Sequence, residues 1–472
     1  MKRPFNGLLS GGLLILGLLL PFVWVTSFEN YAVIDVGVFR DWAVCLQTYG
    51  RDIYLNCPLR PNYPTVGIGV TAGVFQLLQT QLGIDEPLVA DQWFRYFLAG
   101  LESLNFLLLI AIFRLSRFRH PIATALGLVL LPSTWAGAAV WGQIDHISLC
   151  FLLATIALLL RYWLALGRLG PSTLAANWLY CLLIPVTTTL YILNKQIALF
   201  SFPFLLLVLI ITACKLKVRR NRNGLLQFLF LCLTFLMIFS ILDRGFLTLE
   251  STYLHSSFIG VWSEGSGHGN IISGDGANLW VLLDRDLQST SHFPLFKLGD
   301  AEVKPYTIGI IAYALSLIFL FQSVFKAVHD RFHISKIQQT SDAIALMYLC
   351  CFFHGLSWLG FNVILTGSHD RHPYLAYASL LLAAAYYGWQ SKHPRQYYWR
   401  QSTILFSGFV ATAYGLFILA TKSELHPLLF PISQNAFIAT LQATWLVMLL
   451  GQWVNLCGYL RLQRWRTTYF KQ

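Results

Sequence analysis

The chain has 472 residues, of which 56% are hydrophobic, 15% aromatic and only 11% charged, with a formal net charge of +12. Soluble chains of this length carry about a quarter charged residues to cover their surface, so the composition excludes a soluble enzyme, a disordered chain and a nucleic-acid binder. What remains is an all-α integral membrane protein, whose apolar runs approach the roughly 20 residues needed to cross a hydrocarbon core.

The first run, Leu8 to Val25, follows Met1-Lys2-Arg3. No small-x-small cleavage site follows it, and Trp24 and Phe28 read as an interfacial belt. It is expected to remain as a first span with a cytoplasmic N-terminus. Further spans are expected near 93–113, 121–140, 146–166, 173–193, 197–213, 224–243, 305–325, 342–365, 374–390, 401–420 and 434–457, about twelve in all. Residues 63–82 are apolar enough for a short span, but counting them would place Arg114, Arg117 and Arg119 outside. An interfacial or re-entrant segment restores the order.

On that reading every basic cluster faces the cytoplasm, from Lys2-Arg3 through Lys215 to Arg222 and on to Arg461 to Lys471. Among the acids, only Asp330 and Asp342 do so. The other acidic side chains collect on the outer face, which carries two long loops, 28–92 and 244–304.

The first outer loop brings Asp35 and Asp41 close to the end of the first span. A carboxylate at the mouth of an apolar cavity is partly desolvated and gains basicity, which suits a general base; the alternative is an ordinary loop acid or helix cap. Cys45 and Cys57 lie in the same loop and have the option of a disulfide if that face is oxidising. Asn62-Tyr63-Pro64-Thr65 follows, where Pro64 starts a helix and Tyr63 serves as an interfacial anchor or a binding residue.

Trp141-Gly142-Gln143-Ile144-Asp145-His146 places an amide, an acid and an imidazole at a membrane boundary, where ionisable groups are costly and default to function. Asn194-Lys195-Gln196 is a polar turn on the same side. Lys195 opposes the positive-inside preference there, so a phosphate or an acid such as Asp145 is expected to hold it; snorkelling to headgroups is the alternative.

Gly265-Ser266-Gly267-His268-Gly269 reads as a flexible loop, because it opens no helix after a strand. Asn278 and Trp280 lie within the second long loop, and Ser368-His369-Asp370-Arg371-His372 gathers cations suited to a phosphate ester. The chain has neither a Walker loop nor a dinucleotide fingerprint, and no Cys/His cluster with zinc spacing. Asp284-Arg285-Asp286 is the only Asp-x-Asp outside, and a weak metal candidate.

Ile144-Asp145-His146, Asn194-Lys195-Gln196, Ala277-Asn278-Leu279-Trp280 and His369-Asp370-Arg371 occur in the order seen in the GT-C superfamily. Over roughly residues 1–390 the chain resembles the dolichyl-phosphate-glucose-dependent glucosyltransferases of the lipid-linked oligosaccharide pathway. It is similar also to the related polyprenyl-phosphate-mannose-dependent enzymes. Residues 391–472 would complete the same membrane domain.

The resemblance implies an inverting transferase that moves a hexose from a polyprenyl-phosphate donor to a glycan or lipid acceptor, without a metal or other cofactor. Its catalytic acid maps onto Asp35, with Asp41 in reserve. Lys195, His369 and Arg371 would lie at the donor phosphate. Tyr63, Gln143, Asp145, His146, Gln196, Asn278 and Trp280 would lie at the sugar or acceptor. Three features depart from the family: Thr65 replaces the second proline of Tyr-Pro-Pro, His369-Asp370-Arg371 stands for His-Glu-Lys, and the Gly-rich 264–276 segment replaces an arginine-containing stretch.

The competing class is a transporter or flippase of a lipid-linked sugar. Transporters place charge near the midplane and commonly show inverted repeats, whereas here the clusters sit at one edge and no repeat is visible. The sequence contains no N-glycosylation sequon and no ER-retention tail, so a bacterial plasma membrane is expected over the ER, with the site facing the periplasm or lumen.

Overall fold

Within hydrocarbon a backbone can satisfy its polar groups only internally, which favours helices. The computed structural model describes residues 5–27, 34–139, 141–166, 172–218, 222–244, 256–265, 271, 273–274, 276–283, 291, 294–298, 301–331, 340–369, 372–389, 394–422 and 434–469. Among these, nine helices are long and apolar enough to cross a membrane, and two shorter apolar helices accompany them. The chain is a multi-pass membrane protein by this criterion.

The helices in chain order are α1 (Phe5–Ser27), α2 (Ile34–Tyr49), α3 (Ile53–Asn56), α4 (Thr65–Leu82), α5 (Pro87–Leu115), α6 (Pro121–Val129), α7 (Pro132–Ala139), α8 (Asp145–Leu166) and α9 (Ser172–Ile192). There follow α10 (Phe202–Val218), α11 (Arg222–Asp243), α12 (Ser257–Gly265), α13 (Pro305–Arg331), α14 (Thr340–Ile364), α15 (Tyr374–Trp389), α16 (Pro394–Lys422) and α17 (Gln434–Tyr469). Among the described residues two small ladders interrupt the helical pattern. The pair β1 (Ser273–Gly274) and β4 (Ser368–His369) is parallel, and β2 (Phe296–Leu298) with β3 (Ala301–Val303) forms an antiparallel hairpin.

One expected span is not continuous. Residues 121–140 split into α6 and α7 at Leu130-Leu131, because Pro132 supplies no amide hydrogen and disfavours helical geometry in the residue before it. The first of the two long segments expected as loops is largely helical: α2, α3 and α4 occupy much of 28–92. The 63–82 segment becomes α4, which packs on α2, α5 and α11 and is not among the nine spanning helices.

Burial sorts the bundle. The apolar window of α14 is 94% buried, so α14 is its central rod, whereas those of α1 and α11 are only 17% buried. Leu225, Leu229, Leu233, Leu236 and Ile241 stand exposed along α11. In water such a stripe would be a liability; against lipid it is solvated. Helices α16 and α17 pack on α15, α13 and α14, joining the C-terminal segment to the same core.

The α2–α4 layer is fastened to the bundle at two points. Gly67 allows the closest: its amide donates to the Leu193 carbonyl at 3.1 Å, and a Cβ there would overlap the Asn194 carbonyl. Thr65 Oγ1 donates to the Leu242 carbonyl at 2.6 Å. Within the layer, Cys45 and Cys57 form a disulfide with a Cα–Cα distance of 5.5 Å. A closed loop of this size restricts the unfolded chain by about 3 kcal/mol. Replacing both cysteines by serine is expected to destabilise the layer by up to about that amount. Maleimide labelling with and without reductant checks the pairing in the native protein: both thiols should react only after reduction.

Candidate functional site

The site grows from two turns at one end of the bundle. The first is Trp141-Gly142-Gln143-Ile144, between α7 and α8; the second is Asn194-Lys195, after α9. Gly142 sits at φ +69°, a left-handed conformation that L side chains adopt at a cost of about 1–2 kcal/mol. A Cβ at that position would also overlap Val36 of α2. The glycine therefore lets α2 dock on the turn.

That docking delivers Asp35, the second residue of α2. Its Oδ2 accepts from Trp141 Nε1 at 2.8 Å and also from Gln143 Nε2. Asp35 remains half-buried, whereas Asp41, six residues on, is exposed on the same helix.

Two residues beyond Gln143, Asp145 begins α8 and meets Lys195. The ammonium donates to both carboxylate oxygens, at 2.9 and 2.8 Å, and neither residue keeps more than 3% of its surface exposed. Of the two partners expected for Lys195, the acid is the one in place. The ammonium also lies 5.7 Å from the centroid of the Tyr63 ring. Tyr63 packs edge-on to Trp42, and its carbonyl accepts from Tyr54.

A third cluster lies beside the first two. His146 Nδ1 is 2.7 Å from Glu102 Oε2 and 2.9 Å from the Tyr374 hydroxyl. Asn105 Nδ2 donates to the same Glu102 oxygen at 3.2 Å. Glu102 was counted among the acids of the outer face; instead it is fully buried within α5. Glu102, Asn105 and the buried Arg95 were missed as site residues. The available signal was an ionisable residue inside an apolar run. A small cleft of about 30 Å³ adjoins this cluster, lined by Glu102, Asn105, Leu109, Leu149, Tyr374 and Leu381.

The His369 segment reaches the site through its neighbours. His369 is half-buried on β4; its amide donates to His372 Nδ1 at 3.0 Å. The His372 ring packs on Phe361, which stacks on Phe200 of the 3₁₀ turn that begins at Gln196. Arg371, Asp370 and Asp284 to Asp286 lie outside the described residues, as do 266–270 of the Gly-rich run.

Asn278 and Trp280 are fastened elsewhere. The Asn278 side chain caps the 3₁₀ turn Leu279–Leu282 and donates to the Leu365 carbonyl at 3.2 Å. Trp280 Nε1 donates to the Ile364 carbonyl at 2.7 Å, and the residue retains only 9% of its surface. These contacts pin the second long loop to the end of α14.

Several polar atoms around the two turns have no hydrogen-bond partner: Gln143 Oε1, Asn194 Oδ1 and Gln196 Oε1, with Glu102 Oε1 and Asn105 Oδ1 at the cleft. Buried acceptors of this kind cost about 1–3 kcal/mol each when left unpaired. Each is an acceptor that a hydrogen-bond donor could satisfy. Among the described residues no group of three or more His, Cys, Asp or Glu is arranged to hold a metal ion. No protein-family model matches the chain, and no curated protein matches it either.

Breaking a buried ion pair costs more than replacing it whole, because one charge is stranded. Lys195→Met is therefore expected to destabilise the protein by about 3–5 kcal/mol. Lys195→Met combined with Asp145→Leu should recover most of that loss, measured by thermal unfolding in detergent. Gly142→Ala should destabilise it by about 1–3 kcal/mol in the same assay, from backbone strain and the overlap with Val36.

Proposed function

We propose that the protein is an inverting glycosyltransferase of GT-C type, moving a hexose from a polyprenyl-phosphate donor to a glycan or lipid acceptor at the outer membrane face. The observation that carries this reading is the company kept by Asp35. A half-buried carboxylate on α2 is held by the Gln143 turn, beside a neutral, buried Asp145–Lys195 pair, among amide oxygens that lack donors. Sugars bring hydroxyl donors in number, so unpaired acceptors around a carboxylate suit them.

In this mechanism Asp35 takes the proton of the acceptor hydroxyl as its oxygen attacks the anomeric carbon. Trp141 and Gln143 orient the carboxylate through Oδ2. The bond to the donor phosphate breaks on the opposite face, and lipid phosphate leaves as an anion. Its charge is met by Lys195, which shifts part of its bonding from Asp145, and by His369 and Arg371. Electrostatic support of a leaving group is commonly the largest catalytic contribution in such sites. The expected twelve spans and the GT-C connectivity belong to this proposal; the nine apolar helices and the helical layer that presents Asp35 are consistent with it.

The test uses purified protein with synthetic polyprenyl-phosphate glucose, mannose and arabinose, recording release of polyprenyl phosphate. Asp35→Asn is expected to lower turnover by about 10²- to 10⁴-fold, the usual worth of a general base, while donor binding persists. Turnover that survives this substitution in folded protein would remove Asp35 from the mechanism. Donor binding without release from any sugar would favour a flippase.

A further inference from the structure

Helix α8 starts at Asp145, and 18 residues later reaches Trp163, roughly 27 Å away at the opposite end of the bundle. A second polar assembly is buried there, between the ends of α8, α9, α10 and α11. Trp163 Nε1 donates to Thr212 Oγ1 at 3.1 Å, and Lys215 Nζ lies 5.7 Å from the Trp163 ring centroid. The neighbouring Tyr162 donates to Gln227 Oε1 at 3.3 Å and accepts from Cys181 Sγ at 3.5 Å. Asn177 lies one turn before Cys181, on the same face of α9.

Asn177 is fully buried, yet neither its amide nitrogen nor its oxygen has a partner. Lys215 is 7% exposed. The chain then continues with Lys217, Arg219, Arg220 and Arg222, the densest run of basic residues in the sequence. The backbone closes tightly here, since a Cβ on Gly224 would come within 2.8 Å of the Leu216 carbonyl oxygen.

We propose that this polar assembly binds a phosphate ester that also carries a hydroxyl group, the chemistry of an anionic glycerophospholipid headgroup. The amide nitrogen of Asn177 donates to a phosphate oxygen, its carbonyl accepts from the hydroxyl, and Lys215 supplies the cation. The basic run raises the local concentration of anions, as juxtamembrane Lys/Arg clusters do at an anionic leaflet. This site is separate from Asp35, and its occupancy does not depend on the transferase reading.

The test takes delipidated, full-length protein in detergent and measures binding by native mass spectrometry. The probes are phosphatidylglycerol, phosphatidylcholine and inorganic phosphate. Phosphatidylglycerol is expected to bind at least tenfold more tightly than phosphatidylcholine. Lys215→Met and Asn177→Leu should each abolish the preference without shifting the melting temperature of the lipid-free protein. Asn177→Asp keeps the side-chain shape while adding a negative charge, so it should lose phosphatidylglycerol even if Asn177→Leu fails to fold. Bound phosphatidylglycerol that inorganic phosphate does not displace identifies the lipid as the source; phosphate binding in its place with similar affinity identifies a soluble ester. Equal binding of the two lipids by the wild type, or a preference that survives both Lys215→Met and Asn177→Asp, would overturn the proposal.

Discussion

The Asp145–Lys195 pair sets the geometry of everything around it. A lone charge at the end of an apolar helix would cost several kcal/mol, so the start of α8 and the turn after α9 must stay together. Gln143 and Trp141 precede Asp145 by two and four residues, and Asn194 and Gln196 flank Lys195. Fixing one ion pair therefore fixes two turns. The layer of α2 and α4 settles on those turns, through Val36 against Gly142 and Gly67 against Asn194.

Three carboxylates then occupy three different environments within a short stretch of structure. Asp145 is buried against a cation, Glu102 is buried against an imidazole, and Asp35 is half-buried with neutral N–H donors on it. Of these three, Asp35 is the one that keeps partial exposure and accepts from the neutral Trp141 and Gln143 N–H groups. A proton acceptor works best where its charge is neither cancelled nor fully solvated, and this contrast is the physical reason for singling it out.

Much of this was legible in the sequence. The apolar runs located the long helices, since their length is dictated by the thickness of hydrocarbon. The Trp141 to His146 and Asn194 to Gln196 motifs stood out because polar residues at helix ends are costly there. Other features were not legible. Pro132 breaks its helix, although the surrounding hydropathy is continuous. Glu102 went unnoticed inside an otherwise apolar segment, because its partner His146 lies on a helix distant in sequence. Trp280 has the residue type of a sugar platform, but its indole donates to the Ile364 carbonyl and its ring is nearly covered. Side-chain chemistry alone does not report which face of a ring is free.

The fastening of α4 also orders events in time. Its first turn is tied to the carbonyls of Leu193 and Leu242, which are more than a hundred residues further along the chain. During vectorial synthesis Asp35 emerges early, but its seat is built only after α9 and α11 have been inserted. A ribosome-stalled or truncated product ending before α9 would display the carboxylate without Lys195 or its turn. The cluster around Asp35 is thus assembled only once the middle helices are in place, an order of events that follows from the long sequence separation of its contacts.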